Sequence, residues 1–372
     1  MPEKAKVYFT DMRCPVGTGL LEKLDKLLGA AGIDTIDFEN KYAAIKIHFG
    51  EPGNLSFLRP NFAKVLADRI IKNGGRPFLT DCNTLYVGRR KDALEHLAAA
   101  AENGFSPLST SCQILIGDGL KGTDDVEVPV PGGEYCPTAR IGRAIMDADI
   151  FISLTHFKVH EGTGIGGTIK NIGMGCGSRA GKMQMHQGGA PVVDESLCRA
   201  CHVCAGYCAQ GAISFLPGPG GKARIDEDKC VNCGRCIGTC NFDAIENASF
   251  NDDALNKRMA EYALAVVHGR PQFHITVVNQ VSPYCDCHSE NDAAVVPDIG
   301  MFASFDPVAL DKACGDAVNA APPLPGTLLA ACSQKGLDHF TAIHPNTNWL
   351  SQLEHGEKIG LGSCEYELVT VK

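Results

Sequence analysis

The sequence predicts an α/β fold, in which a mostly parallel sheet carries helices on both faces and is interrupted by an inserted module. Strand-like runs alternate with helical stretches from residue 7 to residue 157, and the alternation resumes after residue 250. Residues 190–250 lack this alternation and are dense in cysteine. We therefore expect one α/β domain in two parts, residues 1–189 and 251–372, around an insertion at 190–250.

The predicted elements follow from local patterns. Pro60 opens a helical stretch that Gly74 closes, and an alanine-rich run at 92–104 favours a helix. Asp306 precedes Pro307 and an apolar helical pattern, which is typical of a helix N-cap. The predicted strands lie at 7–11, 42–50, 76–81, 113–118, 149–157, 273–281 and 366–371, and a strand leads into a helix within 302–319. The other predicted helices lie at 19–32, 60–73 and 252–268.

Composition narrows the function class. The chain has 372 residues, of which 44% are apolar and 21% charged, so it can bury a sizeable core. Its formal net charge of −9 argues against nucleic acid as a partner. No apolar run reaches the roughly 18 residues of a membrane span, and the N-terminus lacks the apolar segment of a secretory signal. The expected location is therefore the cytoplasm.

The eighteen cysteines are best explained by metal ligation, because disulfides belong to secreted chains. Residues 198–208 and 230–240 both read C-x₂-C-x₂-C-x₃-C, and the second copy follows the first by 32 residues. This internal repeat predicts a module with pseudo-two-fold symmetry. The alternative is a zinc site or buried structural thiols, but zinc sites pair their cysteines rather than using two runs of four.

The spacing predicts two [4Fe–4S] clusters with crossed ligation. Three thiolates two residues apart hold one cluster, and the fourth cysteine of each run ligates the other. The predicted ligands of cluster one are Cys198, Cys201, Cys204 and Cys240. Those of cluster two are Cys230, Cys233, Cys236 and Cys208. An electron-transfer function follows from this assignment.

This segment resembles the two-cluster module of bacterial ferredoxins over residues 190–250, which implies a small α+β fold. That family usually has proline after each fourth cysteine, whereas this chain has Ala209 and Asn241. Because proline is not a ligand, we expect ligation to survive. The departure bears instead on the local turn, solvent access and reduction potential.

The flanking sequence resembles the domain-of-unknown-function 362 family over nearly the whole chain. The segments that carry the resemblance are IKIHFGEPGN (45–54), LTDCNTLYVGRR (79–90), HFKVHEGTGIGGTIKNIGMGC (156–176), GKMQMH (181–186), YCDCH (284–288), PDIGMFASFDPVALDKA (297–313) and EHGEKIGLGSCEYEL (354–368). The resemblance implies an iron–sulfur protein of mostly anaerobic metabolism. It implies no particular reaction.

Residues 156–186 hold the α/β domain's highest concentration of residues suited to binding or catalysis, namely glycines, lysines and histidines. Glycines 162, 164 and 167 fit G-x-G-x-x-G, but four residues separate them from the preceding strand and no acid follows at 168–193, which argues against a nicotinamide site. Glycine backbone with Lys158 or Lys170 could instead bind an anion. The alternative is a glycine-rich loop packed under the sheet end.

Other candidate groups lie on the same segment and beyond it. His156, His160 and His186, with Cys176 and Lys182 between them, could supply a metal site or an acid–base group; the alternative is ordinary loop or core histidines. Cys285 and Cys287 form C-x-C beside His288, which can chelate a metal or act as a redox thiol pair, or can be structural thiols. The remaining cysteines show no ligand spacing. As candidate catalytic residues we take His156, Lys158, His160, Lys170 and His186.

Three functional hypotheses remain. The first is an iron–sulfur oxidoreductase with a small-molecule site near the strand ends, where residues 156–186 line a pocket facing the clusters. The second is a ferredoxin-like electron carrier or maturation partner without chemistry of its own. The third is a metal-dependent enzyme whose clusters are structural. The expected partner is a redox protein or a small-molecule electron donor. The insertion's balance of seven acids against five bases is too small to identify a docking partner by charge.

Overall fold

The computed structural model describes residues 4–85, 88–186, 191–208, 210–218, 220–230, 235–242, 244–246, 252–332 and 336–372. The strands are β1 (Ala5–Asp11), β2 (Tyr42–Lys46), β3 (Arg76–Asp81), β4 (Gln113–Ile116), β5 (Asp125–Pro129), β6 (Thr138–Gly142), β7 (Ile150–His156), β8 (Lys158–His160), β9 (Gly164–Gly166), β10 (Val192–Val193), β11 (Ile213–Phe215), β12 (Ala223–Ile225), β13 (Ile245–Glu246), β14 (Gln272–Val278), β15 (Gly300–Ser304) and β16 (Tyr366–Thr370).

The helices are α1 (Leu20–Ala30), α2 (Pro60–Lys72), α3 (Ala93–Glu102), α4 (Pro107–Thr110), α5 (Arg143–Met146), α6 (Thr168–Cys176), α7 (Arg179–His186), α8 (Val203–Tyr207), α9 (Arg235–Thr239), α10 (Asp252–Val267), α11 (Pro307–Ala320), α12 (Leu328–Cys332), α13 (His339–Ile343) and α14 (Leu350–Lys358). A short 3₁₀ helix covers Ile33–Thr35. Within the described part of the chain, no helix combines the length and apolar character needed to cross a bilayer.

The central sheet has eight strands in the order β16-β1-β15-β14-β7-β2-β3-β4. β15 pairs antiparallel with both of its neighbours, and every other adjacent pair is parallel. The predicted α/β class with a mostly parallel sheet is therefore confirmed. The strands come from both sides of the insertion, since β14, β15 and β16 join the same sheet as β1, β2, β3, β4 and β7.

Successive residues of a strand point to opposite sides of the sheet, so each strand places apolar side chains on both faces. Helices cover both faces. On β7, Ile150 and Ile152 belong to one apolar cluster, which includes residues of α1 and α2. Phe151 belongs to the other cluster, which includes residues of α6, α10 and α11. Both faces are thus buried, as expected for a parallel sheet.

Two predicted helix starts are confirmed by their caps. Asp306 accepts hydrogen bonds from the backbone N–H groups of Val308 and Ala309, each at 2.9 Å. Asp92 similarly accepts from the N–H groups of Leu94 and Glu95, at 3.0 and 3.1 Å. Each carboxylate satisfies N–H groups that have no partner within the helix.

The insertion forms two antiparallel pairs of short strands with two short helices. β10 pairs with β13, β11 pairs with β12, and α8 packs against α9. The repeat is visible in the backbone hydrogen bonds: Asp194 N–H donates to Ala244 C=O at 2.8 Å, and Asp226 N–H donates to Ala212 C=O at 2.8 Å. The domain boundaries at 190 and 250 stay a prediction, because residues 187–190 and 247–251 lie outside the described residues.

Candidate functional site

A cationic pocket lies at the carboxyl ends of β2 and β3, against helices α6 and α7. Open α/β sheets commonly bind ligands at these strand ends. The pocket is lined by Lys46, His48, Asp81, Cys82, Thr84, Arg90, Lys158, Gly166, Gly167, Lys170, Asn171, Met174, Gly175, Lys182 and Cys287. Five of these side chains are lysine or arginine and one is a carboxylate. The lining therefore suits a negatively charged ligand.

Helix α6 is held at the pocket by a carboxylate distant in sequence. Asp311 of α11 accepts hydrogen bonds from the N–H groups of Thr168 and Ile169, at 2.6 and 2.8 Å, and so caps α6. Gly167 makes this approach possible, because a Cβ there would collide with the Asp311 carboxylate. At the other end of α6, a Cβ on Gly175 would collide with the side chain of Lys46. Small residues thus bring α6 and β2 together around the pocket.

Buried ion pairs fix two of the basic side chains. Lys46 Nζ lies 3.0 Å from Asp81 Oδ1, and donates to Asn171 Oδ1 at 2.8 Å. Arg90 Nε lies 2.8 Å from a carboxylate oxygen of Glu51. Burial opposes ionisation of Asp81, but the charges of Lys46, His96 and Arg90 outweigh it and lower the pKa of Asp81. These side chains are therefore rigid parts of the wall.

Lys158 and His156 share one buried carboxylate, that of Asp286. Its Oδ2 atom lies 2.9 Å from Lys158 Nζ and 2.9 Å from His156 Nδ1. His156 Nε2 lies 2.8 Å from the carbonyl oxygen of Asn279. Burial opposes ionisation of Asp286, but the charges of His156 and Lys158 hold its pKa well below the ordinary range. Of this pair only Lys158 lines the pocket, so His156 is placed to position Asp286 rather than to touch a ligand.

The C-x-C segment lies beside Lys170 at the pocket. Lys170 Nζ donates to the buried sulfur of Cys285 at 3.5 Å. His160 Nδ1 accepts the N–H groups of Gly162 and Thr163, at 3.0 and 3.2 Å, which leaves its Nε2 as the protonated nitrogen. A hydrogen bond from the Cys287 thiol, with Lys170 and His160, holds the pKa of Cys285 well below its ordinary value despite burial.

His186 ends helix α7 and does not line the pocket. Burial, together with the positive charge of Lys170, lowers the pKa of His186 to about 4, so that its imidazole is neutral at pH 7. Cys176 is buried beneath the pocket, where its carbonyl oxygen accepts the Cys82 thiol at 3.4 Å. Neither residue is placed to contact a ligand of the pocket directly.

Four cysteines of the insertion line a second, smaller cavity. It is lined by Cys198, Cys201, Cys204 and Cys240 together with Arg199, His202, Val203, Phe215, Ala223, Phe242, Ala244 and Ile245. Cys201 is exposed and Cys198 and Cys204 are buried. Of the other four predicted ligands, Cys208, Cys230 and Cys236 are partly buried, and Cys208 Sγ accepts the N–H of Ala212 at 3.3 Å. Cys233 lies outside the described residues.

Helix α7 connects the pocket to the cysteine module. Lys182 lines the pocket, and the next residue, Met183, belongs to an apolar cluster with Cys198, Cys204 and Ile237. Leu85, which follows β3, belongs to the same cluster. A second contact joins the α/β domain to α8 of the cysteine module: the Lys121 ammonium lies 4.5 Å from the centre of the Tyr207 ring. The pocket and the module therefore share a wall.

Part of this site was predicted from the sequence. Lys158, Lys170, Lys182 and Cys287 are brought together, while His156 and His160 support neighbouring groups. Three other residues of the pocket lining, Lys46, Asp81 and Arg90, were not predicted. Lys46 and Asp81 end strand-like runs, at IKIHFG and RPFLTD, and a charged residue at the carboxyl end of a predicted parallel strand is a signal that could have found them. The partnership of Asp286 with His156 joins residues 130 positions apart.

Comparisons with known proteins identify the family of the chain. Among solved structures, a protein from Thermotoga maritima aligns with 12% identity and a TM-score of 0.41, over 80% of this chain and 58% of its own. The lactate racemase apoprotein from Thermoanaerobacterium thermosaccharolyticum aligns with 11% identity and a TM-score of 0.38, over 99% of this chain and 83% of its own. No curated protein sequence is significantly similar. The profile described as "Domain of unknown function (DUF362)" matches residues 43–316, and the chain belongs to that family.

Proposed function

We propose that the protein is an iron–sulfur oxidoreductase that acts on a small anionic substrate. The observation that carries the proposal is the shared wall between the cationic pocket and the cysteine module. Lys182 and Met183 are adjacent on α7, and one lines the pocket while the other packs with Cys198 and Cys204. An electron relay is useful to an enzyme only if its substrate binds near a cluster.

One cavity of the cysteine module supports the crossed ligation proposed for two [4Fe–4S] clusters. Cys240 lines the same cavity as Cys198, Cys201 and Cys204, although it is 36 residues from the nearest of them. This grouping is the arrangement that the repeated spacing predicts. Cys208, Cys230, Cys233 and Cys236 would hold the second cluster by the same rule. When bound, such clusters accept and donate single electrons.

The pocket side chains would bind and orient the substrate. The charges of Lys46 and Lys158 are compensated by Asp81 and Asp286, so these two lysines contribute least to the binding energy of an anionic substrate. Lys170 donates to the sulfur of Cys285 and Lys182 donates to the backbone carbonyl of Gly177, and within the described part of the chain neither ammonium pairs with a carboxylate. They are the side chains best placed to neutralise an anion.

We expect Lys170→Met to weaken binding of inorganic phosphate about tenfold or more, because a charge-assisted hydrogen bond is lost. Isothermal titration calorimetry of anoxic protein measures the dissociation constant. The matched control is Lys64→Met, since Lys64 is an exposed lysine paired with Asp68 outside the pocket. Equal phosphate affinity in the Lys170 variant and the wild type would show that the pocket does not use Lys170 for anions.

Electron transfer to a substrate can be tested directly. The chemically reduced, desalted protein is mixed without oxygen with a panel of small oxyanions and carboxylates, and reoxidation is followed by absorbance. The proposal expects reoxidation by some member of the panel, slowed in Lys170→Met. Reoxidation by carrier proteins alone would instead support the second candidate.

That second candidate is an electron carrier or maturation partner, and the surface around Cys201 favours it. Cys201 is exposed, and the neighbouring side chains Val203 and Phe242 expose 37% and 42% of their surface. Exposed apolar groups beside a redox centre are suited to docking a partner protein. The carrier needs no cationic pocket, however, and for this reason we favour the enzyme.

A further inference from the structure

Three side chains with different donor atoms converge at the edge of the pocket, outside the cysteine motif. They are Glu161, in the turn between β8 and β9, and Cys287 and His288, in the loop after β14. Their ligand atoms all lie within 4.8 Å of one another. A carboxylate oxygen of Glu161 is 2.7 Å from His288 Nε2.

We propose that Glu161, Cys287 and His288 bind one Zn²⁺ ion. Carboxylate, thiolate and imidazole are all ordinary zinc ligands. One thiolate and one carboxylate would balance the charge of the ion. Three protein ligands leave a fourth position for water or for an anion, which is the pattern of catalytic rather than structural zinc sites.

The loop that carries two of the ligands is anchored before any metal binds. The N–H of His288 donates to the carbonyl of Cys285 at 3.1 Å, which closes a turn across Cys287. The carbonyl of Asp286 accepts the N–H of Glu51 at 3.0 Å, and its carboxylate is held by His156 and Lys158. Asn54 Nδ2 donates to the carbonyl of His288 at 3.2 Å. Such anchoring reduces the entropy that a metal site must lose on binding.

Cys287, rather than Cys285, is the cysteine whose sulfur lies within reach of Glu161 and His288, and binding of the ion would release its thiol proton. The Cys285 sulfur is buried and accepts from Lys170, so that a lysine ammonium occupies its surroundings. Cys287 is partly exposed and also lines the cationic pocket. The zinc ion would therefore border the space in which we propose that the substrate binds. Zinc binding itself does not depend on that proposed function.

The test uses anoxic protein with its clusters in place, exposed to equimolar Zn²⁺ and then desalted. We expect inductively coupled plasma mass spectrometry to find about one zinc per chain. The variants Cys287→Ser and His288→Ala should retain zinc at least tenfold more weakly. X-ray absorption spectroscopy at the zinc edge should show one sulfur at about 2.3 Å from the zinc, with nitrogen and oxygen ligands at about 2.0–2.1 Å. The control is His268→Ala, because His268 is an exposed histidine away from this group.

Two results would overturn the site. Equal zinc retention in His288→Ala and the wild type would show that His288 is not a ligand. A zinc spectrum with four sulfurs would show that the ion occupies cysteines of the module instead. Unchanged cluster absorbance in the His288 variant keeps these results interpretable, since His288 is 41% exposed and its replacement leaves the core intact.

Discussion

Replacing Cys240 with alanine should remove the cluster held by Cys198, Cys201 and Cys204, and leave the other cluster in place. The iron content of anoxic protein should fall from about eight to about four atoms per chain, because each cubane holds four irons. Cys240 is closer in sequence to Cys236 than to Cys204, so this outcome distinguishes crossed from local ligation. Iron analysis and electron paramagnetic resonance measure it.

The matched variants for this experiment are Cys204→Ala and Cys236→Ala. With crossed ligation, the spectrum of the Cys240 variant matches that of Cys204→Ala, because both lose the same cluster. A match to Cys236→Ala would show that the ligand assignment is wrong. Cys14→Ala is the control, since Cys14 is exposed and has no ligand spacing.

Replacing Asp286 with asparagine should cost roughly 3–5 kcal/mol in the free energy of unfolding. The substitution keeps the size of the side chain but leaves the buried ammonium of Lys158 without a compensating charge, and replaces the carboxylate that contacts His156. Urea unfolding under anoxic conditions measures the change. The walls of the pocket should loosen as well, because Lys158 lines it.

Asp253→Asn is the matched control for this stability prediction. Asp253 forms an ion pair with Lys257 on the surface, where its side chain is 52% exposed, so its loss should cost no more than about 1 kcal/mol. If Asp286→Asn destabilises the protein no more than Asp253→Asn does, then the buried carboxylate is not what stabilises Lys158.

The fold was predictable wherever local sequence carried its own signals. Asp92, Pro60 and Asp306 mark helix starts, and helices α3, α2 and α11 begin next to them or at them. Helices α6 and α7 were missed, because they are short and contain several glycines. The cap of α6 comes from Asp311, which is 143 residues from Thr168 and has no local signature.

The candidate site was predictable only in part, for the same reason. The lysines of residues 156–186 were found because they are concentrated in one segment. The side chains that compensate them, Asp81 and Asp286, lie on other elements and reach the site only through the sheet. The group of Glu161, Cys287 and His288 likewise joins two loops that the sequence keeps 126 residues apart.

The most direct test of the account is the iron and acid-labile sulfide content of protein purified without oxygen. Two [4Fe–4S] clusters require about eight irons and eight sulfides per chain, and Mössbauer spectroscopy should assign the iron to cubanes. The protein should be brown and lose its colour in air. A reproducible count near four irons would remove one cluster from the account. Zinc in the cysteine module with no iron would contradict the proposed electron-transfer function altogether.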